Sequence, residues 1–134
     1  MASFEEIRIP QKPPMVMVDR LLLASGTETI TSFTIRPGNV FTAEGRFAEP
    51  GLIENMAQTA AAGSGAMQEA GSAPRTGFIG GIRDLLITEL PEVGDEIITR
   101  VTVEHTVMDA SVVQAEVRLN SRLIASCGMK IFLI

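Results

Sequence analysis

Pro50-Gly-Leu-Ile-Glu-Asn-Met-Ala-Gln-Thr-Ala-Ala-Ala-Gly-Ser-Gly-Ala-Met67 is the stretch on which the fold turns. Proline suits the first helical position, where its missing N–H would have had no partner. Gly71 supplies a stop. The pattern predicts one helix over residues 50 to about 70, which at about 1.5 Å per residue is roughly 30 Å long. Past Glu54 it is almost all small or apolar, with very little charge. A helix that is apolar around most of its circumference must be buried around most of it. Gly63 and Gly65 each sacrifice about 1 kcal/mol of helix propensity relative to alanine. That loss makes sense if another backbone approaches closely there.

On either side of this helix the pattern is that of strands. Residues 13–20, PPMVMVDR, read as a turn or short helix begun by Pro13 and Pro14. LLLAS and ETITSFTIR follow as two strands with Gly26 in the turn between them; Thr29, Thr31, Phe33 and Ile35 fall on one face. After Gly71, residues 76–90 form a strand in which Gly80-Gly81 marks a bulge or a close approach. Another covers 95–108, after the Val93-Gly94 turn. In 111–120, Val113, Ala115, Val117 and Leu119 alternate with polar residues, the mark of a half-buried strand. In 122–134, Leu123, Ala125, Cys127, Met129, Ile131 and Leu133 share a face. Asp109-Ala110 and Asn120-Ser121 are the expected hairpin turns.

Early strands, one long helix and then long antiparallel strands define an α+β domain. A single helix buried nearly all round requires the antiparallel sheet to wrap around it, which is the hotdog arrangement. The expected organisation is one such domain over residues 1–134. A curled sheet of this kind leaves one sheet edge and one helix flank uncovered in a monomer, so a dimer is expected.

Composition narrows the function. The chain has 134 residues, a formal net charge of −5 and a single histidine. An acidic balance without Lys/Arg runs argues against nucleic acid. No apolar run approaches the about 18 residues of a membrane span, and the acidic N-terminus does not read as a secretory signal, so the expected address is cytoplasmic. Cys127, the only cysteine, can form neither an internal disulfide nor a metal cluster, and reads as a buried inert thiol. No His/Cys/carboxylate cluster, phosphate-binding glycine loop or serine triad occurs, so no metal or cofactor is expected.

The chemistry concentrates at the helix start. The first turn of a helix presents unpaired N–H groups and a partial positive charge. Gly51 would offer its amide to a thioester carbonyl. Glu54, in the second turn, leans back toward that space, and Gln58 follows on the same face to position Glu54 or a water. Burial of a lone carboxylate would raise its pKa into a useful range. The competing reading is that an acidic residue near a helix N-terminus is favourable on electrostatic grounds alone. Arg46 and Phe47 before the helix, and Gly80 and Gly81 after it, complete the candidate substrate-binding set, although a solvated surface arginine is the ordinary reading of Arg46. His105 lies within a strand and reads as a rim or edge residue.

Three segments resemble the 3-hydroxyacyl-acyl-carrier-protein dehydratases: Pro14-Met-Val-Met-Val-Asp19-Arg20-Leu, Pro50-Gly51 with Leu-Ile-Glu54-Asn-Met-Ala-Gln58, and Gly81-Ile82 running to Val93-Gly94-Asp95. The resemblance implies that Glu54 stands at the catalytic carboxylate and Gly51 at the carbonyl-polarising glycine. That family pairs its carboxylate with a histidine contributed across a dimer interface. In this sequence the segment preceding the helix is Phe41-Thr-Ala-Glu-Gly45-Arg46-Phe47-Ala-Glu-Pro50, with arginine where histidine would stand. Arginine stays protonated and cannot be the base. Residues 85–92, basic in many members, here contain Glu89 and Glu92. The chain is also similar to dehydratase-like partner proteins of bacterial aryl-polyene pigment pathways. The resemblance therefore implies a binder of 3-hydroxyacyl or enoyl thioesters, on carrier protein or CoA, in fatty-acid or polyene-type biosynthesis. Its dehydratase activity would be reduced or would depend on pairing with a histidine-bearing paralogue; otherwise it forms a homodimer. The alternatives are an acyl thioesterase using Glu54 and a non-catalytic binding subunit.

Overall fold

A computed structural model describes residues 7–68, 71, 73 and 77–134. The elements are β1 (Arg20–Ala24), β2 (Glu28–Thr34), β3 (Thr42–Ala43), β4 (Arg46–Phe47), α1 (Glu49–Ala66), β5 (Gly77–Ile87), β6 (Glu96–Val107), β7 (Ala110–Leu119) and β8 (Arg122–Leu133). Six strands form one sheet in the order β1-β2-β6-β7-β8-β5, and every neighbouring pair is antiparallel. α1 packs against β6, β2 and β7, the middle of that sheet. The chain has the α+β hotdog fold.

The alternation in β7 places Val113, Ala115, Val117 and Leu119 in the core, with Ile97 and Val101 of β6 and Leu52 and Met56 of α1. Thr29, Thr31, Phe33 and Ile35 of the β2 segment are buried as their period-2 spacing requires. Gly63 and Gly65 sit where another part of the chain comes close: a Cβ on Gly63 would strike the Thr29 side chain, and one on Gly65 the Arg8 carbonyl. The N-terminal segment thus lies against the end of α1.

Several expectations need correction. α1 ends at Ala66, with Met67 already at its C-cap; the expected extension to 70 reaches into residues 69–70, outside those described. Of the turn or short helix expected after Pro13 and Pro14, the structure has the turn, at residues 13–15, because two consecutive prolines supply no N–H for a ladder. The strand expected over 76–90 runs from Gly77 to Ile87, residue 76 being outside those described. The first hairpin turn is Met108-Asp109, with Met108 at φ 57° and Ala110 already in β7. Asn120-Ser121 is the second turn, both residues at positive φ. A register shift on the β7–β8 ladder pairs Arg118 with Leu123 and Val117 with Ala125. The added residue turns Leu123 out to 42% exposure and puts Ile124 in the core at 1%. A short β3–β4 hairpin precedes α1, and the sequence pattern did not announce it.

β5 is a sheet edge with two register shifts, the second around Asp84 at φ 53°. Phe78, Ile82, Leu85 and Leu86 on it are all exposed. No described helix is long and apolar enough to cross a membrane.

Candidate functional site

One flank of α1 is closed and polar. Asn55 Nδ2 donates to the Met17 carbonyl at 2.7 Å, and its Oδ1 accepts from the Thr99 hydroxyl at 2.6 Å. The Thr59 hydroxyl donates to the Asn55 carbonyl at 2.8 Å. Its single proton is then committed, so Thr31 must be the donor in the 2.7 Å contact between the two threonine hydroxyls. Gln58 fills its whole amide: Oε1 accepts from the Met17 N–H at 2.6 Å, and Nε2 donates to the Met15 carbonyl at 2.7 Å and to Glu54 Oε1 at 2.9 Å. Asn55, Gln58, Thr59 and Thr99 are each 0% exposed. Buried polar groups this fully paired hold one arrangement. They tie the Met15–Met17 segment to α1 and orient Glu54.

The other flank of α1 opens onto a cavity of about 540 Å³. Glu54, Ala57, Ala60 and Ala61 form its helical wall, and Val101, Val103, Val113, Ile79 and Ile131 face them from the sheet. Glu54, Ala57, Ala60 and Ala61 are half-buried. A lane of alanines beside a carboxylate keeps this side open, the helix flank expected to stay uncovered in a single chain. A cleft whose walls facing Glu54 include aliphatic side chains can hold an acyl chain, and its one oriented carboxylate can exchange a proton with an activated carbon or a hydroxyl carried on that chain.

Glu54 and Gln58 are therefore brought together as their four-residue spacing implies. The structure does not bring the other candidates to the cavity. Gly51 is buried, its N–H donates to the Ala48 carbonyl at 2.9 Å, and an added Cβ would lie 2.5 Å from the Phe47 ring. Close packing of the helix start on the β4 phenylalanine accounts for that glycine, and its amide is not presented to the cavity. Phe47 is 0% exposed, its ring centroid 5.7 Å from that of Phe33 and 6.5 Å from that of Phe41. It is a core residue because it faces inward from β4 under the helix. Arg46 alternates outward, exposed, 3.8 Å from Glu92.

Gly80 lies outside the cavity walls, beneath the Phe132 ring, which stacks on Phe78 at 5.3 Å. Gly81 has open space around it. The expected irregularity is real, since the β5–β8 register shifts between Ile79 and Gly81. Its consequence is to seat an aromatic pair rather than to line the cavity.

His105 is exposed on β6, outside the cavity walls. Cys127 is buried among apolar side chains, and desolvation pushes its thiol up to about 11. Asp19, in the first resembling segment, accepts from the Thr34 N–H at 2.8 Å and from Arg36 at 3.0 Å. It fastens the end of β2. Among the described residues no group of three or more His, Cys, Asp or Glu could hold a metal ion. Sequence reasoning missed the network formed by Asn55, Thr31 and Thr99. The available signal was that Asn55 and Thr59 stand in an otherwise uncharged helix, where a buried amide or hydroxyl demands partners.

Comparison with known proteins follows the same lines. No curated protein matches the chain in sequence. Among solved structures, the dehydratase heterocomplex ApeI:P from Xenorhabdus doucetiae aligns over 94% of this chain and 88% of its own, with TM-score 0.84 and 18% identity. The protein smu.793 from Streptococcus mutans UA159, bound to acetyl CoA, aligns over 96% and 94%, with TM-score 0.71 and 12% identity. The uncharacterized protein PH1136 from Pyrococcus horikoshii aligns over 98% and 95%, with TM-score 0.73 and 10% identity. At these identities the likeness concerns the hotdog fold. The model of the ApeP-like family, described as ApeP dehydratase, matches residues 5–133, nearly the whole sequence, and the chain therefore belongs to that family.

Proposed function

We propose that this chain is a cytosolic, single-domain acyl-thioester protein that holds a 3-hydroxyacyl or enoyl thioester, on a carrier protein or CoA, in fatty-acid or polyene-type biosynthesis. Its dehydratase activity depends on a histidine-bearing partner subunit. One observation carries the reading: Glu54, oriented by Gln58, is on the wall of a cavity of about 540 Å³, while the sole histidine lies outside it.

Dehydration removes a proton from the α-carbon and expels the β-hydroxyl as water, so one group must take a proton and the leaving oxygen must receive one. Glu54 can serve at one of these two points. The other falls to an imidazole supplied across an interface. The exposed β5 edge, with Ile82, Leu85 and Leu86 uncovered, suits that pairing because an unpaired strand adds another strand readily. The heterocomplex among the similar structures supports the same arrangement, and the acetyl-CoA-bound relative supports thioester binding.

The test is dehydration of 3-hydroxyacyl thioesters by the purified chain alone and after mixing with a histidine-bearing paralogue. Loss of a general acid–base partner lowers rate by about 10²–10⁴-fold, so the chain alone should fall short of the mixture by that factor. Ordinary turnover by the chain alone would refute partner dependence. A second reading, thioester hydrolysis, is favoured by one feature: Glu54 is oriented without any imidazole in the cavity, as a carboxylate working through water would be. Thiol release from acyl-CoAs that disappears in Glu54→Ala would establish it.

A further inference from the structure

The two walls of the cavity advance together from the carboxylate. The Thr99 hydroxyl of β6 donates to Asn55, and Gly63 lies against Thr29, the ladder partner of Val101. α1 and β6 therefore run in the same direction. From Glu54 the helical wall continues through Ala57 and Ala60, and Val101, Val103 and Val113 stand on the sheet wall. That stretch is aliphatic on both sides.

Farther along, hydroxyls enter both walls. Ser64 follows Ala57 and Ala60 on one helical face, at i, i+3 and i+7. On the sheet, Thr106, Ser111, Ile131 and Ile79 are cross-strand partners in one row, and all four line the cavity. The Thr106 and Ser111 hydroxyls, 3.4 Å apart, occupy the β6–β7 half of that row. Thr106 is exposed and Ser64 and Ser111 are half-buried, so water reaches this end of the wall.

An alkyl chain gains from each methylene that it buries against an aliphatic wall. A chain that passes the hydroxyls strips their water and returns no hydrogen bond. The stretch before them measures roughly 15 Å along α1, from Glu54 to Ser64. Along β6 it measures about 20 Å, from Thr99 at the level of Asn55 to Thr106.

We propose that this stretch measures the acyl chain: Ala57 and Ala60 keep it open, and the Ser64, Thr106 and Ser111 hydroxyls end it. These residues then set the longest chain that gains from the site. The proposal rests on the reading of the cavity as an acyl-thioester site and adds the substrate class, alkyl chains between dodecanoyl and hexadecanoyl in length.

The experiment measures binding of even-numbered acyl-pantetheine thioesters, from butanoyl to octadecanoyl, to the purified protein by calorimetry. Pantetheine is the part that CoA and carrier proteins share. In the wild type, affinity should rise about fourfold per methylene. The rise should break between dodecanoyl and hexadecanoyl and level off beyond. Ala60→Leu, which fills the stretch, should move the break to shorter chains. Ser64→Ala with Thr106→Val and Ser111→Ala should move it to longer ones. An unchanged thermal midpoint shows that a variant is folded, and if one variant fails to fold the other decides. No break at any length, or a break that stays in place in a folded variant, would overturn the measuring stretch and leave the thioester reading intact. Absence of binding at every length would overturn the two together.

Discussion

The two flanks of α1 are built from neighbouring residues of one helix and serve opposite ends. On one, Asn55, Gln58 and Thr59 are completely buried, and the side-chain donors and acceptors described for them are paired. On the other, Glu54, Ala57 and Ala61 are half-buried along a cavity. The closed flank uses its polar groups to fasten the helix to the Met15–Met17 segment and to β6. The open flank leaves its carboxylate oriented but only half-buried. The difference shows that a polar residue in a buried helix has two uses, as an anchor when its partners lie within the chain and as a working group when they do not.

Breaking the closed flank should have the largest effect. Asn55→Leu strands the Met17 carbonyl and the Thr99 hydroxyl in a dry interior, and each unpaired group costs about 1–3 kcal/mol. A loss of about 2–4 kcal/mol is expected in urea unfolding. If the loss is below about 1 kcal/mol, the network is not an anchor.

The core beneath that flank gives a pH-dependent counterpart. Burial raises the Cys127 thiol from 9.0 to about 11, so the folded state holds the proton more tightly than the unfolded chain. Its contribution is intact below pH 9 and is lost as pH rises toward 11, at about 1.4 kcal/mol per unit. Unfolding curves between pH 8 and 11 should show wild type losing up to roughly 2–3 kcal/mol more than Cys127→Ala. Parallel curves would contradict the burial argument.

Gly65→Ala tests the contact between the helix end and the N-terminal segment. An added methyl meets the Arg8 carbonyl, and overpacking of this kind costs about 1–3 kcal/mol, less whatever alanine regains in helix propensity. A drop in thermal midpoint, with faster amide exchange at Ile9, is the expected readout. The smallest effect belongs to the open flank. Glu54→Gln keeps a hydrogen-bonding partner for Gln58 and should shift stability by less than about 0.5 kcal/mol, while removing whatever turnover the protein supports. A large stability change would make Glu54 another anchor and end the contrast.

Much of this architecture was legible before any coordinates. The alternating apolar residues of β7 identify a half-buried strand with little ambiguity, because period-2 spacing has no helical counterpart. Gly63 and Gly65 announced close approach because nothing else explains them in a helix. Leu123 faces outward against its period-2 place, since a bulge near the start of β8 changes which side chain faces inward and leaves no mark in composition. The first-turn position of Gly51 suggests a carbonyl-polarising amide and the place of Phe47 before the helix suggests substrate binding, yet packing against each other explains both.

The sequence by itself determined the hotdog class, the buried helix and the pairing of Glu54 with Gln58, all of which follow from periodicity and local spacing. Only the tertiary structure decided which flank of α1 closes over paired amides and hydroxyls and which opens onto a cavity. That choice depends on segments more than 35 residues apart in the chain, such as Met17 and Asn55 (|i−j| = 38) or Asn55 and Thr99 (|i−j| = 44), meeting in space. Local patterns do not encode such a meeting.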